Sequence, residues 1–222
     1  MLINKSIIID DFKPLVTSDS VETGKERMRQ QSAKKLPVID RTTRKLIGQI
    51  TYNQLQEAQQ DVLIADLSLG EAIKVYDGQH LFEAAKLMLQ YELKALPVVD
   101  EEWTFLGIIT KQEVLDALTR MLNLAEFGSV ITIELNHSDF TISEIVQIIE
   151  VEDAKILGLT VEPPNEANQA FEVSIKLNLQ DISRISAALR RYGYTVFTGL
   201  EAEVLNEDIE NRAGELLRYL DM

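Results

Sequence analysis

The side chains able to carry chemistry in this sequence are few, and their spacing says more than their number. Cysteine is absent and histidine occurs only at His80 and His137. Thiolate nucleophiles, disulfide frameworks and Cys/His metal clusters are excluded by that alone. His137 and Asp139, in the stretch Asn136-His137-Ser138-Asp139-Phe140, have the types of a general acid and base. A short polar loop uses the same residues for turns and caps, and that reading is preferred. Without a nucleophile–base pair or a glycine-rich phosphate cradle, the chain is expected not to be an enzyme. Two threonines remain, Thr51 followed by Gln54 and Thr110 followed by Glu113. Threonine caps helices, so each is expected at a helix start.

Positioning those threonines requires elements, and the sequence repeats them. Leu36-Pro37-Val38-Ile39-Asp40 recurs sixty residues later as Leu96-Pro97-Val98-Val99-Asp100, and Gly48-Gln49-Ile50-Thr51 recurs as Gly107-Ile108-Ile109-Thr110 after a turn one residue shorter. The same offset pairs Lys34 with Lys94, Met28 with Met88 and Val21 with Leu81. Each copy opens on a helical pattern, clearest where Leu81, Ala84, Ala85 and Met88 fall at i, i+3, i+4 and i+7. The Leu-Pro-Val segment follows as a buried strand whose proline is expected at the strand start, where no ladder donor is needed. A turn, a second strand and a closing helix complete the unit. Leu55 in copy one, and Val114, Leu115 and Leu118 in copy two, are the expected core of the closing helices.

This order, with its doubled L-P-V-h-D and G-h-h-T segments, resembles the tandem cystathionine-β-synthase (CBS) motif over about residues 1–125. The resemblance implies two β-α-β-β-α units about a pseudo-twofold, with two clefts that bind adenine nucleotides in many members. In that family a Thr/Ser-x-x-Asp at the closing helix serves phosphate and ribose, because a carboxylate accepts hydrogen bonds from both ribose hydroxyls while helix-end amides favour the anion. Thr51 with Gln54 and Thr110 with Glu113 stand at those positions, and Lys94 and Lys111 are the implied phosphate partners. Glu113 keeps the charge that Gln54 lacks, which makes the second copy the better candidate. AMP, ADP, ATP or a related adenosyl compound is the implied ligand, with no cofactor required. Gly24 replaces the Ala84 equivalent, either for close packing against a second subunit or as a tolerated glycine. Phe105 is expected to cover the core, and Trp103 to mark a contact surface or cover the core.

The remainder has a different character. The chain has 222 residues and a formal net charge of −14. Cut after Gly128, the first part carries 15 basic and 19 acidic residues and the second 7 and 17, so most of the negative excess lies in the second part. Such acidity disfavours nucleic acid as a partner. No apolar run is long enough for a membrane span, so a cytoplasmic protein is expected.

The closing helix of copy two is expected to reach Phe127 and stop at Gly128. Thereafter Ser129–Leu135 alternates, and Thr141-Ile142-Ser143-Glu144 has capping-box spacing ahead of Ile145, Ile148 and Ile149. Strands are expected over 154–162 and 169–177. A helix capped by Asp181 should bury Ile182, Ile185, Leu189 and Tyr192, and a last strand should span 194–197.

The β-α-β-β-α-β order is that of a ferredoxin-like split sheet. After a CBS pair it is similar to an ACT domain, and the layout resembles the acetoin-utilisation CBS/ACT proteins. The expected fold class is therefore α+β. A CBS pair spans 1–127 (motifs about 12–57 and 72–127), an ACT-like domain 129–200, and an acidic C-terminal helix 201–222. The resemblance implies a regulatory ligand sensor, a homodimer that signals to an unidentified protein partner. The alternative is a scaffolding protein with empty clefts, docking partners through its acidic ACT half.

Overall fold

The structure is a computed structural model that describes residues 1–136, 141–166 and 168–198. The expected C-terminal helix and the pair His137 and Asp139 lie outside those residues. The fold is α+β, in two compact units that part after Leu118.

In the first unit, copy one runs β1 (Leu15–Val16), α1 (Val21–Gln30), β2 (Lys35–Ile39), β3 (Leu46–Thr51) and α2 (Tyr52–Glu57). Copy two runs β4 (Val75–Tyr76), α3 (Leu81–Gln90), β5 (Ala95–Val99), β6 (Phe105–Thr110) and α4 (Lys111–Met121). Each copy forms a three-stranded sheet, β1-β2-β3 or β4-β5-β6, with the first pair parallel and the second antiparallel. The prolines sit third in β2 and β5 rather than first. They are tolerated there because β1 pairs only with Val38 and Ile39, and β4 only with Val98 and Val99, so the edge beside each proline carries no ladder.

Each repeat is completed by the chain segment that precedes the other. Ile3 and Ile7 lie in the core of copy two with Leu81, Met88 and Leu96, and Ile9 exchanges both backbone hydrogen bonds with Ile108. Ile64 lies in the core of copy one with Leu15, Leu36 and Leu55, and Gly70 exchanges both bonds with Gln49. That crossing explains the glycine of each G-h-h-T segment. A Cβ on Gly107 would collide with the carbonyl of Ile9, and a Cβ on Gly48 would stand 2.8 Å from the carbonyl of Gly70. A seam of Ile39, Leu46, Val99, Phe105 and Ile108 joins the copies. There Leu46 N–H donates to the Trp103 carbonyl at 2.9 Å and Phe105 N–H to the Arg44 carbonyl at 3.0 Å.

The repeat extends to the helix ends. Ser32 (φ 49°) and Glu92 (φ 51°) are both left-handed, and the next amides, Ala33 and Leu93, donate back to the carbonyls of Met28 and Met88 at 3.0 Å. These are two copies of a Schellman turn built without glycine. Gly24 is buried against Leu55 Cδ1 and Ile64 Cδ1 of its own chain, so its packing partner is internal. Phe105 is buried as expected, whereas Trp103 is 45% exposed, with Lys74 Nζ 3.8 Å from its ring centre. Leu115, expected in the core, is exposed; Val114 and Ala117 are the residues of α4 that are buried.

The second unit runs β7 (Ser129–Leu135), α5 (Ile142–Val151), β8 (Ile156–Glu162), β9 (Phe171–Leu177), α6 (Ser183–Arg191) and β10 (Thr195–Thr198). Its antiparallel sheet has the order β10-β7-β9-β8, the split β-α-β-β-α-β arrangement. The core joins Ile131, Ile133 and Leu135 of β7, Val173, Ile175 and Leu177 of β9, and Ile145, Ile149, Ile185 and Leu189 of the helices.

Four local expectations are corrected. Helix α4 ends at Met121, where Asn123 turns left-handed (φ 51°) and the Leu124 amide closes onto Thr119. Gly128 serves a close approach instead, because a Cβ there would strike the Leu177 carbonyl. Thr141 makes no side-chain cap, and Glu144 accepts the Tyr194 hydroxyl at 2.7 Å in place of closing a box. Tyr192 lies just past α6 and is exposed.

Candidate ligand site

Thr51 and Thr110 are the last residues of β3 and β6, and each starts a closing helix, as the spacing predicts. In copy one, both the amide and the hydroxyl of Thr51 donate to Gln54 Oε1 at 2.8 Å, and Gln54 N–H donates back to Thr51 Oγ1 at 3.3 Å. Gln54 Nε2 donates to the Ser68 carbonyl at 2.9 Å. This is a closed capping box tied to the segment that leads into copy two.

Copy two has the same geometry with a different charge. Thr110 N–H donates to Glu113 Oε2 at 3.2 Å, the Thr110 hydroxyl donates to the same oxygen, and Glu113 N–H lies 3.5 Å from Thr110 Oγ1. One carboxylate oxygen thus serves the cap. Glu113 Oε1 takes no hydrogen bond among the described residues, and the side chain is only partly buried. Lys111 N–H donates to the Lys94 carbonyl at 2.9 Å, which fixes these two residues side by side at the sheet end. Both lysine side chains are exposed, and neither ammonium has a partner among the described residues.

The six anticipated residues therefore form two separate groups, Thr51 with Gln54, and Lys94, Thr110 and Lys111 with Glu113. The copy-one counterparts of the two lysines are Lys34 and Tyr52, held by the same bond, Tyr52 N–H to the Lys34 carbonyl at 2.9 Å. Lys34 is the counterpart that the sixty-residue offset already pairs with Lys94, and Tyr52 follows from the 59-residue spacing of Thr51 and Thr110. One position thus carries two ammoniums and a carboxylate, the other one ammonium, a phenol and an amide.

The aspartates that end L-P-V-h-D have a structural task. Asp40 Oδ1 accepts from the amide and hydroxyl of Thr43 at 2.7 and 2.8 Å, and from the Thr42 amide at 3.0 Å. Those bonds, led by the Thr43 amide, hold its carboxyl below the ordinary aspartate value. For Asp100 desolvation pushes upward most strongly. The Thr104 and Glu102 hydrogen bonds and nearby Lys45 together outweigh it and leave the value lowered. Both residues shape hairpin turns.

In the second unit, a cavity of about 410 Å³ opens between Glu134, Asn136, Thr141, Glu144, Tyr192 and Tyr194. Its lining is mostly polar. Across the sheet, Glu162, Glu172 and Glu134 stand in register on three neighbouring strands. Asn168 Nδ2 donates to Glu172 at 2.6 Å and to Glu134 at 3.4 Å. No group of acidic or histidine side chains among the described residues is arranged to hold a metal ion. No helix among them is long and apolar enough to cross a membrane.

Residues 64–120, which contain Lys94, Thr110, Lys111 and Glu113, match the family model of the CBS domain. That match covers the second copy, and the first copy repeats its element order. Among curated proteins, the chain is similar to inosine-5′-monophosphate dehydrogenase of Korarchaeum cryptofilum, 33% identical over 111 residues, which are 50% of this chain and 23% of that protein. The chain therefore spans about a quarter of that relative. Among solved structures it is similar to a CBS domain pair/ACT domain protein of Thermotoga maritima, with 28% identity and a TM-score of 0.49 over 55% of this chain and 99% of that one. It is also similar to CBSX2 of Arabidopsis thaliana in complex with AMP, with 23% identity and a TM-score of 0.42 over 54% of this chain and 93% of that one.

Proposed function

We propose that the chain is a non-catalytic regulatory sensor whose second CBS copy binds an adenine nucleotide. The observation that carries this reading is the union of Lys94 and Lys111 by one backbone bond beside Glu113, with one carboxylate oxygen to spare. Two exposed ammoniums suit a phosphate, and the spare oxygen suits a ribose hydroxyl pair. Copy one is the weaker site, because Gln54 is already shared between Thr51 and Ser68. We further propose a pair over 1–127, an ACT-like regulatory domain over 129–200, and a cytoplasmic homodimer that passes the ligand's effect to a protein partner. The ligand acts by favouring the geometry of the pair that it binds better.

The experiment is a thermal-shift titration of the full chain with AMP, ADP, ATP, NAD and S-adenosylmethionine. Ligand at about a hundred times its Kd adds about 2.7 kcal/mol, which for a chain of this size raises Tm by about 5 °C or more. Lys111→Ala is the matched variant, since its side chain has no partner to lose; it should keep the unliganded Tm and lose the shift. The closed Thr51–Gln54 cap favours the alternative, a scaffolding protein with unused clefts. Absence of any shift across the five compounds supports that reading and overturns the sensor.

A further inference from the structure

The two copies differ in the length of the helix that closes them. Both closing helices start after the matching threonine, yet α2 ends after six residues at Glu57 while α4 runs for eleven to Met121. Copy one closes on the shorter helix, so the final turn of α4 answers to something other than the repeat. The division between the two units falls inside α4, after Leu118. Before that point, Val114 and Ala117 pack in the core of copy two. Beyond it, the helix end is seated on the sheet of the second unit. Asn123 turns left-handed, the Leu124 amide donates back to the Thr119 carbonyl at 3.0 Å, and Asn123 Nδ2 donates to the Leu157 carbonyl at 2.6 Å. Leu157 is the residue that β8 gains over β9 where the register shifts between Ile156 and Gly158, and a bulge leaves such a residue without a ladder partner. Next to it, a Cβ on Gly158 would stand 3.0 Å from the Leu122 carbonyl. Gly128 makes a similar close approach to Leu177, at the end of β9. The end of α4 is thus fixed to the β8–β9 corner by one side-chain bond and two backbone approaches.

We infer that α4 couples the nucleotide position of copy two to the β8–β9 corner. The inference rests on the sensor reading above and names the route by which the ligand's effect reaches the second unit. Lys111 and Glu113, which that reading sets against phosphate and ribose, are the first and third residues of α4. The first turn of the helix rests on the Lys111 N–H bond to the Lys94 carbonyl and on the Thr110–Glu113 cap, whose return bond is 3.5 Å long. A ligand that bridges Lys94, Lys111 and Glu113 adds a further restraint there. Helices order cooperatively, each turn stabilising the next, so a restraint on the first turn opposes opening of the last. The last turn carries Leu122 and Asn123 against Gly158 and Leu157, and the corner opens less often in consequence. This is coupling through a shared local-unfolding equilibrium, with no change of fold. Copy one does not share the route, because α2 ends at Glu57.

The test is hydrogen–deuterium exchange of the full chain with and without saturating AMP, with binding followed by calorimetry on the same samples. AMP should slow exchange in α4 and, at least about fivefold, at the amides of residues 156–162, the lower end of ordinary coupling between sites. Asn123→Gly keeps the left-handed backbone, which glycine adopts freely, and deletes only the bond to Leu157. It should bind AMP as tightly as the parent protein, keep the slowing in α4 and lose it at 156–162. Gly158→Ala presses on the Leu122 carbonyl from the other side and should lose it likewise. The far-UV circular dichroism of both variants should coincide with that of the parent protein. Binding heat without slowing at 156–162 in the parent protein, or equal slowing in the parent protein and Asn123→Gly, would overturn the coupling and leave the sensor reading intact. Absence of binding heat in the parent protein would overturn the sensor reading and the coupling with it.

Discussion

Gly107→Ala tests the physical basis of the G-h-h-T segment. Gly107 has φ +149°, and a Cβ there would meet the carbonyl of Ile9 and stand 2.7 Å from Ile8 Cγ2. The obstacle is backbone held by two hydrogen bonds, so it cannot swing aside as a side chain would. Backbone strain contributes about 1–3 kcal/mol, and forcing the first segment off β6 about as much again. The expected loss is therefore about 2–6 kcal/mol, a large share of a typical domain's stability. Two further variants separate these terms. Gly48→Ala meets Gly70 O at 2.8 Å and Leu69 Cβ at 2.9 Å without positive φ, so only crowding applies, about 1–3 kcal/mol. Gly70→Ala has nothing nearer than 3.7 Å and should leave stability nearly unchanged. Trp103, the single tryptophan, lies in the first unit and reports its urea unfolding separately from the second. With a slope of about 2 kcal/mol per molar urea, Gly107→Ala should lower the midpoint by about 2 M and Gly48→Ala by about 1 M. Equal midpoints for Gly107→Ala and Gly70→Ala would refute the idea that each repeat is closed by the other's leading segment.

Three further outcomes are expected. Glu92→Gly and Ser32→Gly should each stabilise the first unit by about 0.5–1 kcal/mol, because glycine relieves the left-handed cost at a Schellman turn at the expense of some chain entropy; urea midpoints check this. Thr51→Ala and Thr110→Ala should each cost about 1 kcal/mol through loss of a cap, measured in the absence of nucleotide. Asp40 and Asp100 have lowered folded-state values against an ordinary 3.8. Their stabilising effect is therefore full above that value and lost as pH falls through the lowered one. The double variant D40N/D100N should show a flatter fall in stability than the parent protein as pH is taken from about 5 to below 3.

The tandem pair was legible because its first strands and turn aspartates recur sixty residues apart and its second strands fifty-nine apart, and a repeated unit announces its own boundaries. The helix ends were harder. Glycine marks many C-termini, yet α1, α3 and α4 turn at Ser32, Glu92 and Asn123, while Gly128 is reserved for a close approach to Leu177. Thr141 and Glu144 have the spacing of a capping box, but Tyr194, distant in sequence, claims the carboxylate. The reason for Gly107 was invisible for the same cause, since the obstructing carbonyl belongs to the first ten residues. At the candidate site, residue types and pairings were legible, including the better charge of copy two. The bond that brings Lys94 beside Lys111 was not, because it joins backbone atoms of two different elements.

The most direct measurement is calorimetric titration of AMP into the full chain, Lys94→Ala and Lys111→Ala. The sensor account predicts saturable binding to the parent protein, weakened at least tenfold in each lysine variant, with all three proteins equally stable before ligand is added. Absence of binding heat in the parent protein, or equal affinity in all three, would contradict it.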